Sequence, residues 1–360
     1  MAKTLQKAFE GPPSGDSPAS FLQFHENVEV LSDKPAASLM IEHSSPWVVR
    51  DDINWRNEKL TALAATIWLS QRKKKKLAEL TDEDFRSDHL SSIVESLGSS
   101  FGTEALREFN SKLGALGAMI RPENQASRGR VLIFSPHPDD DVICMGATMK
   151  KMTSAGYEVD VAYMVSGANA VKDLDVLNYL DLQNKEVSDI VGHFATSKGL
   201  DPESEKISIV RSIYQKSKGS LDEPVVRTIK AEIRRQEAFR ASTRAGARAH
   251  FLNLPFYEEY GSARKAPLSQ EDVDLVRNLL LKLQPDAIFV AGDTTDPNGT
   301  HAMCLDAFQE AFLNLKDSTA KSAQVFQYRG AWQEFTLEEA DAIEPFTEEF
   351  LSEKIEMILE

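Results

Sequence analysis

The unbroken apolar run Val131-Leu132-Ile133-Phe134 is followed at once by the polar turn Ser135-Pro136-His137-Pro138-Asp139-Asp140-Asp141. A run without polar alternation suits a strand covered on both faces, the usual situation in a parallel sheet flanked by helices. Further apolar strands are expected over 159–165, 250–254, 287–291 and 323–328. Helical patterns fall between them at 142–154, 174–198, 222–246, 273–283 and 301–315. Ser269 and Asp272 form an N-cap pattern ahead of the fourth of these helices. Strands alternating with helices predict an α/β fold, a mostly parallel sheet with helices on both faces. Chemistry in such sheets sits in the loops after the carboxyl ends of the strands.

The loop at 135–141 is therefore the first place to look. Packing three carboxylates and an imidazole into five residues is costly unless a cation neutralises them, because the adjacent like charges of the carboxylates repel. Two prolines stiffen the backbone that carries them. A divalent metal is the natural counter-charge, and histidine with aspartate suits zinc or another divalent ion. The simpler reading is an N-cap cluster, because Asp139 to Asp141 precede a helix whose positive end favours carboxylates. A metal site needs further ligands. His25, His43 and His89 lie outside the α/β region, and His193 and His250 read as surface or core residues. His301 ends the loop that follows the strand at 287–291, which places it on the same rim of the sheet as His137. Cys144 and Cys304 read as small packing residues beside the two loops rather than as ligands.

Upstream, residues 52–122 read as a helical module. Leu60, Leu63, Ala64, Ile67 and Trp68 mark one apolar face, and Leu106, Phe109, Leu113, Leu116 and Ile120 a second that stops at Arg121-Pro122. The run Arg72-Lys73-Lys74-Lys75-Lys76 fits a solvated helix end opposing the helix dipole better than a polyanion patch. Residues 1–50 are rich in proline and serine with β-like pieces such as Val28-Glu29-Val30-Leu31, and so few apolar positions cannot bury a core alone. A formal charge of -15 argues against nucleic acid and anionic membranes as partners. No signal-peptide pattern opens the chain, and no apolar run approaches the roughly 18 residues of a membrane-spanning helix. Two cysteines are too few for a disulfide framework, so a cytoplasmic location is expected. Nothing in the sequence decides between a monomer and a homo-oligomer.

The loop Pro136-His137-Pro138-Asp139-Asp140-Asp141 resembles the signature of the LmbE-like, or PIG-L, N-acetylglucosaminyl deacetylase family, with proline in place of a small first residue. Arg234-Arg235-Gln236-Glu237 matches that family's R-x-x-E helix. Several stretches are similar to a subfamily fused to a glucosamine-6-phosphate deaminase-like domain. They are Ser166-Gly167-Ala168-Asn169-Ala170-Val171, Asp296-Pro297-Asn298-Gly299-Thr300-His301 and Tyr328-Arg329-Gly330-Ala331-Trp332-Gln333-Glu334. The resemblance implies four segments: a deaminase-tail remnant at 1–50, a helical linker at 51–125, a Rossmann-like deacetylase domain at 126–335, and a C-terminal helical segment at 336–360. It also implies that residues 1–45 cannot perform a deaminase reaction. In the last segment Phe346, Phe350, Leu351, Ile355, Ile358 and Leu359 form an apolar stripe, and the fused relatives are expected to continue beyond it.

Carried over position by position, the resemblance implies that His137, Asp140 and His301 hold zinc or another divalent metal. Asp139 is then the general base for attack of ion-activated water on the acetamide of a small amino sugar. Arg234 and Asn169 would bind substrate, Glu237 would orient Arg234, and Asp141 would support the ligands or cap the helix. An ordinary helix-face salt bridge is the other reading of Arg234 with Glu237. The family's distal motif places a histidine three residues before the ligand, where this chain has Asn298. An asparagine amide can donate a hydrogen bond but cannot transfer a proton. A catalytically weak or inactive metal- or sugar-binding homologue is therefore the alternative to an active deacetylase. A magnesium-dependent phosphohydrolase is a weaker rival built on the aspartate triplet. A dinucleotide dehydrogenase is disfavoured, because no G-x-G-x-x-G follows the first strand.

Overall fold

A computed structural model describes the chain except residues 1, 51, 99–106, 108–109, 115, 117–128, 218–219, 259–265, 316–318, 331, 334 and 336–339, and the side chains of 59, 60 and 258. The chain divides into two compact units, Met1–Leu116 with Phe335–Ile343, and Gly117–Glu334 with Glu344–Glu360. The segment expected to stand apart at 336–360 is thus shared between them.

In the first unit the helix Lys59–Lys73 packs with the short helices Asp82–Ser87 and Ser91–Leu97 around Trp55, Leu63, Leu69, Phe85, Leu90 and Ile93. The buried face differs from the expected one. Ala62, Leu63, Ala65, Thr66 and Leu69 are buried, whereas Ala64, Ile67 and Trp68 are half-buried. Trp68 instead meets Trp47 edge-on and carries Arg72 over its ring. The basic run ends the helix as expected, with Lys74 in a left-handed C-cap, and it is paired: Arg72 and Lys73 reach Asp88, and Lys75 reaches Asp84. Val28–Leu31, expected to be β-like, is exposed and forms no strand. Of the second apolar face, Leu113 forms a bridge with Ile343, while Leu106, Phe109, Ile120, Arg121 and Pro122 lie outside the described residues.

The second unit holds a five-stranded parallel sheet of β1 (Arg130–Ser135), β2 (Glu158–Tyr163), β3 (Arg248–Phe251), β4 (Ala287–Ala291) and β5 (Gln324–Tyr328). Their order is β3-β2-β1-β4-β5. β1 is central, with Val131 to Phe134 at most 1% exposed, so its continuous apolar run reports burial on both faces. Helices α1 (Asp140–Ser154), α2 (Asp173–Asp181), α3 (Lys185–Lys198), α4 (Pro202–Gln215), α5 (Pro224–Ala245), α6 (Pro255–Glu258), α7 (Gln270–Leu283), α8 (Thr300–Leu313) and α9 (Glu348–Ile358) complete it. On one side of the sheet, Leu132, Phe134, Ile288 and Val290 join Val276, Leu280, Ala307 and Phe308 of α7 and α8 in one core.

Three elements depart from expectation. The pattern read as one helix over 174–198 is two, because Gln183 turns left-handed and Asn184 caps α3 through the amide of Val187. α4, capped by Asp201 on the amide of Ser204, was not expected. In α9 the buried residue is Met357, whereas Phe346, Leu351, Ile355, Ile358 and Leu359 are exposed. The Ser269–Asp272 cap at the start of α7 forms as expected.

β2 also carries a buried charge, Asp160, gripped by Arg248 at 2.8–2.9 Å and His250 at 2.8 Å. Burial raises its pKa, but His250 and Arg248 outweigh that and bring it down to about 2. A depressed carboxyl stabilises the fold above its ordinary pKa, and that contribution fades as pH falls from about 4 toward 2. Asp160→Asn should cost about 2 kcal/mol at pH 7. Urea unfolding across this window should show the gap between variant and wild type closing as the medium acidifies.

Candidate metal centre

β1 and β4 lie side by side, yet β1 runs on through α1 toward β2, and β4 runs on through α8 toward β5. The strand order reverses between them, which opens a crevice at their carboxyl ends. The loops 135–141 and 292–299 both empty into it.

The first loop is shaped by its own polar groups. The Ser135 hydroxyl donates to the His137 carbonyl at 2.6 Å and accepts from the Asp141 amide at 3.0 Å, closing the turn. Asp139 occupies the N-cap position of α1, but its side chain makes no capping bond. It turns instead to Arg234, whose Nη2 donates to Asp139 Oδ2 at 2.8 Å. The simple N-cap account of the aspartate triplet therefore fails for this carboxylate. Asp141 is fully buried, with Tyr163 donating to its Oδ2 at 3.0 Å. Burial pushes its pKa up to about 7, against the pull of the Tyr163 and Ser135 hydrogen bonds. Its place is beneath the loop, bracing it.

Asp140 is the hub. Its Oδ2 accepts from the His137 amide at 2.9 Å and lies 3.2 Å from both His137 Nδ1 and His301 Nε2. The two ring nitrogens are 3.3 Å apart. Burial opposes ionisation of Asp140, but the two imidazoles outweigh it and hold the carboxyl well below the usual range. The His301 ring is buried, and its Nδ1 meets the Asp293 carbonyl at 2.8 Å. A carbonyl only accepts, so Nδ1 carries a proton and Nε2 is the nitrogen turned to Asp140 and His137. Burial favours the neutral ring, but the Asp140 carboxylate outweighs it and raises the His301 pKa, so Nε2 must give up a proton to act as a ligand.

His137, Asp140 and His301 form a set of groups whose ligand atoms all lie within 4.8 Å of one another. Three lone-pair donors this close repel unless positive charge lies among them. Ligands 2.0–2.1 Å from a tetrahedral zinc would be about 3.3–3.4 Å apart. The spacing, the two-nitrogen, one-oxygen chemistry and the anchored His301 ring all fit a divalent ion.

Around these donors the remaining expected residues take distinct places. Arg234 Nη1 donates to Glu237 at 2.8 Å, so the helix-face salt bridge and the contact across to the loop both exist. Asn169 Nδ2 donates to the Tyr257 hydroxyl at 3.0 Å, and the Tyr257 ring stands edge-on to His137 with centroids 6.3 Å apart. Asn298 is exposed in the turn before α8. Gly167 adopts φ 65°, and a Cβ there would lie 2.8 Å from Pro138, so only glycine lets the loop after β2 close on the ligand loop.

Two buried carboxylates escaped the sequence reading. Asp296 accepts from the amides of Thr300 at 2.7 Å and His301 at 3.0 Å, fixing the first turn of α8. Asp293 presents its carbonyl to His301 while its side chain takes the amides of Trp332 and Gln333. An aspartate a few residues before a helical histidine was the available signal for the first. Nothing local marks the second, whose partners lie about 40 residues away.

A match to the family described as PIG-L, GlcNAc-PI de-N-acetylase, covers residues 132–312, half of the chain and the whole of this constellation. The chain belongs to the PIG-L family. Over 375 residues it is 36% identical to a putative glucosamine-6-phosphate deaminase-like protein of Bacteroides thetaiotaomicron, covering 99% of this chain and 55% of that relative. It is 27% identical over 106 residues to diacetylchitobiose deacetylase of Thermococcus kodakarensis, covering 29% of this chain and 34% of that protein. The chain thus spans about half the length, or less, of these curated relatives. Among solved structures, N,N'-diacetylchitobiose deacetylase from Pyrococcus horikoshii aligns with a TM-score of 0.39 at 20% identity, over 70% of this chain and 77% of that one.

Metal analysis of the purified PIG-L protein after zinc loading and desalting should find an ion retained by wild type and lost from His137→Ala and His301→Ala. Asp296→Ala, which touches no proposed ligand side chain, should weaken zinc affinity about 10-fold.

Proposed function

We propose that this chain is a metal-dependent N-deacetylase that removes the acetyl group from an N-acetylglucosamine-type amide. The observation that carries the reading is the convergence of His137, Asp140 and His301 with Asp139 beside them, at the crevice of a PIG-L domain. His137 Nδ1, His301 Nε2 and Asp140 Oδ2 would hold zinc or another divalent ion. Such an ion supplies a Lewis acid that acidifies water and polarises an amide carbonyl.

The chain's own groups do the rest. Arg234 holds Asp139 Oδ2, which fixes the carboxylate plane and leaves Oδ1 to take a proton from the attacking water. As the water oxygen bonds to the carbonyl carbon, the C=O π pair moves onto oxygen. The oxyanion pair then re-forms C=O as the C–N bond breaks, and Asp139 returns the proton to the leaving nitrogen, giving acetic acid and the amine, which exchange a proton to become acetate and an ammonium. Asn298 would meet the oxyanion as an amide donor where the family pattern has histidine. This favours turnover below that of a histidine-bearing relative, and in the limit a protein that binds metal and sugar without hydrolysis. The deaminase named for the Bacteroides relative belongs to a protein nearly twice as long, and nothing in this constellation calls for that reaction.

The test is acetate release from N-acetylglucosamine and its oligosaccharides by the zinc-loaded protein. Asp139→Asn should lower kcat by about 10²–10⁴ with zinc still bound. Asn298→His should raise kcat, by up to about 10²-fold if oxyanion stabilisation limits the rate. Absence of acetate from both wild type and Asn298→His, each with zinc bound, would leave the non-hydrolytic reading in its place.

A further inference from the structure

β5 is an edge strand, yet the residues that leave its carboxyl end touch both halves of the metal centre. The Tyr328 hydroxyl donates to the Phe134 carbonyl at 2.7 Å, directly before the loop at 135–141. Arg329 Nε donates to the Gly292 carbonyl at 3.2 Å, and the Gly292 amide donates to the Tyr328 carbonyl at 2.8 Å, where the second loop begins. Gly330 passes beside α1, and a Cβ built on it would lie 3.5 Å from Cys144 Sγ, one turn after Asp140. The amides of Trp332 and Gln333 then both donate to Asp293 Oδ2.

Asp293 is where this segment meets a ligand. The residue is 1% exposed, and a carboxylate buried without its two amide donors would be costly. Its own carbonyl accepts from His301 Nδ1 at 2.8 Å. Carboxylate and carbonyl belong to one residue, so clamping the first restrains the peptide plane that carries the second. A hydrogen bond to the far nitrogen of a ligating imidazole sets both its tautomer and its orientation.

We propose that Asp293 is a positioning residue for His301, and that docking of the Trp332 and Gln333 amides on its carboxylate is coupled to metal occupancy of the centre. The coupling runs both ways, because two equilibria that share one residue shift each other by the same factor. With the amides docked, the Asp293 carbonyl aims His301 Nε2 at Asp140 and His137. An ion held there fixes the ring and, through the same carbonyl, the carboxylate that receives the two amides. Asp296 holds the backbone of His301 from within its own loop, whereas Asp293 brings a restraint in from the end of β5. This assignment rests on the metal-binding part of the proposed function and not on the reaction.

Amide hydrogen exchange of the full chain, with and without zinc, tests the coupling. Zinc should slow exchange of the Trp332 and Gln333 amides about 10-fold and leave the amides of α4 unchanged. Calorimetric titration with zinc supplies the reciprocal measurement. Asp293→Ala should weaken zinc affinity about 10-fold or more. Asp293→Asn should restore most of it, because its amide oxygen still accepts from both backbone amides and its Nδ2 can donate to the Thr295 hydroxyl, which lies 3.4 Å from Oδ1. The exchange measurement uses wild type alone, so misfolding of Asp293→Ala leaves the test intact. Equal exchange of the two amides with and without zinc, or folded Asp293→Ala that binds zinc as tightly as wild type, would overturn the coupling while the metal centre stands. Wild type that binds no zinc would remove both.

Discussion

The Asp140 carboxylate, set between two imidazoles, is the contact on which the rest of the α/β unit turns. Its Oδ2 is fixed by the amide of His137 three residues earlier, so the ligand loop and the first turn of α1 share one conformation. The second imidazole comes from a residue more than 160 positions away, and only the adjacency of β1 and β4 brings it there. Three lone pairs brought this close require positive charge among them, supplied by a proton on an imidazole or by a cation that displaces it. The fold invests its buried polar groups in holding them together.

Those investments are visible on both sides. Beneath the first loop, Asp141 is buried with Tyr163 against it, and the Tyr163 hydroxyl also meets the Ala238 carbonyl of α5. Behind the second, Asp296 and Asp293 fix the start of α8 and the His301 ring, and Asp293 ties them to the segment after β5. Asp141, Asp293 and Asp296 are each satisfied by backbone amides or a hydroxyl, as a desolvated acceptor requires. The side chains of His137, Asp140 and His301 are consequently held in place by neighbours outside that set.

Arg234 joins this centre to α5. Its guanidinium spans Asp139 and Glu237. A salt bridge that would be worth little on an open helix face here orients a carboxylate beside the crevice. Of the R-x-x-E pattern, the helix-face salt bridge forms, and the packing of α5 against the loop at 135–141 adds the contact from Arg234 to Asp139.

Much of this was readable from residues alone, for identifiable reasons. The Val131–Phe134 run and its counterparts announced a parallel sheet because burial on both faces removes polar alternation, and sheet geometry then pointed to the following loops. The selection of His301 over the other histidines followed from that address. Other features depended on partners far along the chain. The buried face of Lys59–Lys73 shifted because its neighbours, and not its own periodicity, decide which side is covered. The roles of Asp293 and Asp141 arise from contacts with Trp332, Gln333 and Tyr163. Local pattern thus determined which strands and loops form and which side chains they carry. The relative placement of loops separated by whole strands and helices was decided by tertiary packing, since distance in space is not encoded in spacing along the chain.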